Sequence, residues 1–80
     1  MFEIADFNKL RVGVKQTSRA LKEHQVAVLI IASDAEQHVT RRIVELATND
    51  AVKIEYVETM KELGRLCQID VGAAVAVIIK

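Results

Sequence analysis

Val26-Ala27-Val28-Leu29-Ile30-Ile31-Ala32 is a near-continuous aliphatic run. A half-exposed strand alternates apolar with polar side chains, whereas a strand covered on both faces does not, so this segment is expected at the centre of a sheet. Toward the C-terminus, Ser33 stands three residues before Glu36 in a capping-box arrangement. Val39, Ile43, Leu46 and Ala47 then recur at helical spacing, which predicts a helix ending near Thr48 to Asp50. Val52-Lys53-Ile54-Glu55-Tyr56-Val57 alternates apolar and charged residues over most of its length, as befits a strand nearer the sheet edge. A second box, Thr59 with Glu62, opens a short helix in which Met60, Leu63 and Leu66 form an inward stripe and which Gly64 weakens. After a loop from Cys67 to Gly72, Ala73-Ala74-Val75-Ala76-Val77-Ile78-Ile79 makes a second apolar strand, its alanines letting helices approach closely.

Toward the N-terminus the elements are shorter. A short amphipathic helix is expected near Ile4 to Leu10, then a brief strand around Arg11 to Gly13 and a basic helix from Lys15 to about Glu23. The strand, helix, strand, helix, strand order predicts a mostly parallel sheet with helices on both faces and right-handed connections, an α/β/α sandwich. No proline, repeat or low-complexity tract divides the 80 residues, so residues 1–80 are read as one domain. A domain of this size buries only about 60% of its unfolded surface, and the 51% hydrophobic content supplies the core. No run approaches the roughly 20 apolar residues that span a bilayer. Met1-Phe2-Glu3-Ile4-Ala5-Asp6 carries acids where a signal peptide has a basic region. A cytoplasmic protein is expected, with the single Cys67 as a small buried hydrophobe.

The formal net charge is zero, but its distribution is uneven. In Gly13-Val14-Lys15-Gln16-Thr17-Ser18-Arg19-Ala20-Leu21-Lys22 the cations Lys15, Arg19 and Lys22 follow i, i+4, i+7 spacing and share one helical stripe. Thr17, Ala20, Leu21 and His24 turn toward a face that can pack. No acid lies between Asp6 and Glu23 to neutralise Lys9, Arg11, Lys15, Arg19 and Lys22. Such a stripe is either a solvated face or a phosphate contact. The loop adds a second feature, because Ile69 and Val71 are large aliphatics flanking one polar residue. Either both tuck under the sheet, or they offer an apolar surface that covers unstacked bases while the basic helix start meets phosphates. These become one site only if the loop lies beside the start of the basic helix.

Other chemistry is sparse. The three glycines lie too far apart for a phosphate loop or a dinucleotide fingerprint. His24 and His38 have no Cys or His at ligand spacing, so no metal site is expected, and no cofactor is implied. Asp34 follows the central strand, where α/β folds place functional acids, but an acid there also suits a helix start. Two rival functions follow, a small α/β enzyme or signalling domain using Asp34 and a protein-interaction module using the apolar loop.

Gly13-Val14-Lys15-Gln16-Thr17, Leu29-Ile30-Ile31-Ala32-Ser33-Asp34-Ala35, Lys61-Glu62-Leu63-Gly64 and Ile69-Asp70-Val71-Gly72-Ala73-Ala74 together resemble the ribosomal protein L-seven-Ae family in order and spacing. The resemblance covers essentially the whole chain. It implies a three-layer α/β/α sandwich on a four-stranded mixed sheet, and a monomeric, non-catalytic protein that binds kink-turn RNA, in ribosomal or regulatory RNA. A kink-turn is a duplex bent sharply at a short bulge beside sheared G·A pairs. By resemblance Gly13, Lys15, Gln16 and Arg19 meet the G·A pairs, Lys22 adds a phosphate contact, and Ile69, Asp70, Val71, Gly72 and Ala73 cover the bulged nucleotides. Archaeal and eukaryotic members have Asn-Glu where this chain has Lys15-Gln16, a departure similar to that of the short bacterial branch. Gln still donates and accepts at a guanine edge, and Lys adds attraction for phosphate.

Overall fold

The computed structural model describes residues 4–80. Met1–Glu3, part of the acidic start noted above, lie outside the described residues. The amphipathic helix expected near Ile4 to Leu10 is reduced to a 3-10 turn, Phe7–Lys9, because Asp6 caps the amide of Asn8 and Leu10 already enters a strand. The elements that follow are β1 Leu10–Val12, α1 Val14–Lys22, β2 Val26–Ala32, α2 Gln37–Asn49, β3 Lys53–Val57, α3 Met60–Leu66 and β4 Val75–Ile79.

The sheet order is β1-β4-β2-β3. β2 is central and β3 lies at an edge, as the aliphatic run and the alternating segment imply. Leu29, Ile30, Ile31 and Ala32 are buried, but a register shift between Val26 and Val28 leaves Ala27 exposed. The expectation of a mostly parallel sheet is overturned. β2 and β3 are parallel, whereas β4 runs antiparallel to both β1 and β2. The cause lies in the connection from β3 to β4. Seven helical residues rise only about 10 Å, against roughly 17 Å for a five-residue strand, and the loop after α3 does not make up the difference. The chain instead doubles back on the helix. Ala73 donates its amide to the Met60 carbonyl (3.0 Å), and β4 starts at the end of the sheet where β3 finished. Gly64 permits this fold-back, since a Cβ there would lie 2.1 Å from the Val71 carbonyl oxygen.

Side chains alternate between two core clusters on opposite faces of the sheet. Leu29, Ile31, Val75 and Val77 pack with Ala20 and Leu21 of α1 and with Ile43 and Ala47 of α2. Ile30, Ala32 and Ala76 pack with Leu63 of α3 and with Cys67. Burial pushes the Cys67 thiol up from its ordinary pKa, which fits the hydrophobe expected from a lone cysteine.

Helix ends depart from expectation in two ways. Ser33 does not cap α2, which begins four residues later with Glu36 at the cap position, and Asp34 instead reaches the start of α3. At the other ends, His24, Ala51 and Gln68 take left-handed backbone angles (φ 57°, 54° and 60°) just past α1, α2 and α3. Each is followed by an amide that closes the turn, Gln25 onto Ala20, Val52 onto Ala47 and Ile69 onto Gly64. His24 thus lies beyond α1 and is exposed, with its Nδ1 3.0 Å from Asp50 Oδ1, rather than on the packing face. No helix among the described residues is long and apolar enough to cross a membrane.

Candidate nucleic-acid interface

Gly13 sits between β1 and α1 with φ 101° and ψ 160°, a conformation that L side chains rarely adopt. Among the described residues nothing lies within 4 Å of where its Cβ would stand, so glycine is required by the backbone turn and not by crowding. No side chain among the described residues caps α1. Its first-turn amides therefore face outward at the positive end of the helix dipole, an arrangement that suits an anion.

Thr17, Ala20 and Leu21 face the core, and Lys15, Arg19 and Lys22 lie exposed on the opposite side of α1. Lys15, Ser18, Arg19, Lys22 and Glu23 line one shallow groove of about 370 Å³. Gln16 projects to the other flank, into a groove of about 230 Å³ shared with Arg11, Arg19 and Gln25. Arg19 is also within 3.6 Å of Glu23, but both side chains are largely exposed and a surface pair of this kind is worth little. A phosphate can displace it.

The loop occupies the same end of the molecule. Gly13 donates its amide to the Val75 carbonyl (3.0 Å), and Ala32 donates to Ala74 (2.9 Å). These bonds bring the turn into α1, the exit of β2 and the end of the Ile69–Ala74 loop side by side. Val71 is 70% exposed and Ile69 37% exposed, so neither is tucked under the sheet. Asp70 and Gly72 are exposed as well, whereas Ala73 is buried and holds the loop through its amide.

Two neighbouring residues, one of them already among the unneutralised cations, are assigned no place at the site from the sequence. Met60 has the spacing of an inward residue, yet it is 37% exposed, and a Cβ on Gly72 would lie 3.3 Å from the Met60 Cβ. It extends the apolar surface of the loop. Arg11, half-buried on the edge strand β1, lines the Gln16 groove, and its guanidinium donates to the Asn8 and Leu10 carbonyls (both 2.9 Å). The alternation Leu10-Arg11-Val12 was the available signal.

Asp34 has a structural occupation. Its Oδ1 accepts the Met60 amide at 2.8 Å, which satisfies the start of α3 together with Thr59, whose hydroxyl accepts from the Glu62 amide (3.0 Å). The second capping box is therefore present at the threonine. Among the described residues no group of three or more His, Cys, Asp or Glu side chains could hold a metal ion.

Residues 3–80 match the sequence profile of the family described as Ribosomal protein L7Ae/L30e/S12e/Gadd45. An RNA-binding protein of Caldanaerobacter subterraneus is 54% identical over 65 residues, 81% of this chain and 79% of that protein. One from Halalkalibacterium halodurans is 38% identical over 98% of this chain and 95% of its own length. In three dimensions the chain is similar to the 15.5kD RNA binding protein of Giardia lamblia, with TM-score 0.84 and 22% identity over 91% of this chain and 62% of that one.

Proposed function

Because the chain belongs to the L7Ae/L30e/S12e/Gadd45 family, we propose that it is a non-enzymatic RNA-binding protein that recognises kink-turns and holds them in their bent form. The observation that carries this reading is the Gly13 amide on the Val75 carbonyl, 3.0 Å, which sets an uncapped basic helix start beside an exposed apolar loop. A kink-turn offers matching chemistry, a crowded phosphate backbone next to unstacked bases. Gly13 lets the backbone approach the G·A pairs, Gln16 meets a base edge, and Lys15, Arg19 and Lys22 neutralise phosphates. Ile69 and Val71, with Met60 beside them, cover splayed nucleotides, while Asp70, Gly72 and Ala73 shape the loop. Asp34 serves the fold, which removes the acid on which an enzymatic reading rested.

The two core clusters on opposite sheet faces support a three-layer α/β/α arrangement, with α1 and α2 on one side and α3 on the other. A single copy carries all the residues of the proposed site, so a monomer is sufficient, and structured ribosomal or regulatory RNA in the cytoplasm is the partner that this reading requires. By binding one RNA conformer better than the others, the protein shifts the RNA toward that conformer. The test is a titration of RNA labelled on both arms. Efficiency of energy transfer should rise as the protein bends a kink-turn and stay flat for the same stems without the bulge. Equal affinity for both RNAs would refute the reading.

A further inference from the structure

The zero net charge of the chain conceals a cluster of exposed cations on two neighbouring helices. α1 and α2 contribute to the same core cluster, so they lie on the same face of the sheet and turn their polar sides outward together. Those outer sides carry Lys15, Arg19 and Lys22 on α1 and Arg41 and Arg42 on α2, all exposed. The acids at these two helices are Glu23, already beside Arg19, Glu36, 3.1 Å from His38, Asp50, 3.0 Å from His24, and Glu45. Among the described residues Arg41 and Arg42 form no ion pair, although Glu45 lies one turn further along the helix. They border a shallow groove of about 510 Å³ on the surface of α2, lined also by His38, Glu45, Leu46 and Asn49. Glu55, Glu58, Glu62 and Asp70 belong to the segments that form β3, α3 and the return to β4, together with the cations Lys53, which pairs with Glu55, Lys61 and Arg65.

Packed helices lie about 8 to 10 Å apart, so the arginines of α2 continue the cationic surface of α1 away from the loop. We propose that Arg41 and Arg42 form a second RNA contact, which tracks the phosphate backbone of a duplex arm leaving the kink and reads no sequence. This rests on the kink-turn reading and extends it, since an arm of fixed direction exists only if the RNA is bent at α1. Two exposed guanidiniums beside a shallow groove suit phosphates, because Arg contacts them through a fixed fork of donors and gives up little hydration in doing so. Such a contact makes affinity depend on arm length.

The experiment compares two kink-turn RNAs, one with an arm that ends at α1 and one extended by about one helical turn. The unmodified chain should bind the extended RNA about tenfold more tightly at low salt, and with a salt slope steeper by up to about 2, one unit for each added phosphate contact. In R41A/R42A both gains should vanish while affinity for the short RNA is unchanged, and R41K/R42K should restore the salt slope but only part of the affinity, because the charge is kept and the fork of donors is lost. A urea melt checks that the variants are folded. Equal affinities of the unmodified chain for the two RNAs would overturn the proposal, as would equal loss on both RNAs in R41A/R42A. An acidic protein surface as the true occupant would give no change on either RNA. Failure of the kink-turn reading registers separately, as equal binding of the short RNA with and without its bulge.

Discussion

The Val71 carbonyl oxygen lies 2.1 Å from the point a Cβ on Gly64 would occupy, so the helix and the loop that returns along it meet backbone to backbone. Gly64→Ala must push the loop off α3. Overpacking of this kind costs about 1 to 3 kcal/mol, and the displaced Val71 should also weaken binding of kinked RNA. Urea melts and titrations on the same variant read both effects, and retention of full stability would show that the loop yields without strain.

Val71 is 70% exposed, so Val71→Ala leaves no buried cavity. Stability should stay within about 0.5 kcal/mol of the parent. Affinity should fall for kinked RNA and not for a plain duplex, which offers no splayed base to cover. Equal losses on the two RNAs would remove Val71 from the contact.

Gln16 is exposed, and its contribution should appear in binding alone. Gln16→Ala should lower affinity by about 1 to 3 kcal/mol, the scale of a good polar contact to a base edge. A sharp fall in melting temperature with intact affinity would assign Gln16 to the fold. Lys22→Ala should instead lower the slope of log affinity against log salt by about one unit, through the loss of one phosphate contact.

Thr17 is fully buried, and among the described residues its Oγ1 has no hydrogen-bond partner. Burial of an unpaired hydroxyl costs about 1 to 3 kcal/mol, so Thr17→Val, which keeps the shape, should stabilise the protein in a thermal melt. Ala51 offers a second route, because its φ of 54° costs a non-glycine residue about 1 to 2 kcal/mol. Ala51→Gly should recover most of that and leave RNA affinity unchanged, whereas a lower melting temperature would show that the methyl group contributes to packing.

Asp34→Ala should lower stability by about 0.5 to 2 kcal/mol, as loss of an N-terminal cap does. Asp34→Asn keeps an acceptor for the Met60 amide and should recover part of it. If both variants melt like the parent, the 2.8 Å bond contributes nothing in solution.

Local patterns were legible in the sequence where side-chain chemistry alone determines them. The run Val26–Ala32 announced its central place, Lys53–Val57 its edge, and Thr59 its cap. Direction was not legible, because the bond from Ala73 to Met60 and the backbone contact at Gly64 join parts of the chain whose side-chain pattern is the same in either orientation. Ser33 and Asp34 misled in a related way. Their spacing fits a helix that follows in sequence, but Asp34 serves one that is near only in space. The left-handed turns at His24, Ala51 and Gln68 carry no glycine to announce them. The basic stripe was visible from spacing alone, whereas the exposure of Val71 and Met60 required the folded loop.

The reversal of β4 has a consequence for how binding and folding are linked. Gly13, Asp34, Met60 and Val75 come from four separated stretches of chain, yet hydrogen bonds join them in pairs at one end of the sheet. No fragment carries that end by itself, so an RNA that binds there has affinity for the native chain and little for the unfolded one. Such a ligand acts as a clasp across the sequence. It raises the melting temperature with its concentration and suppresses global opening, including in amides it never touches.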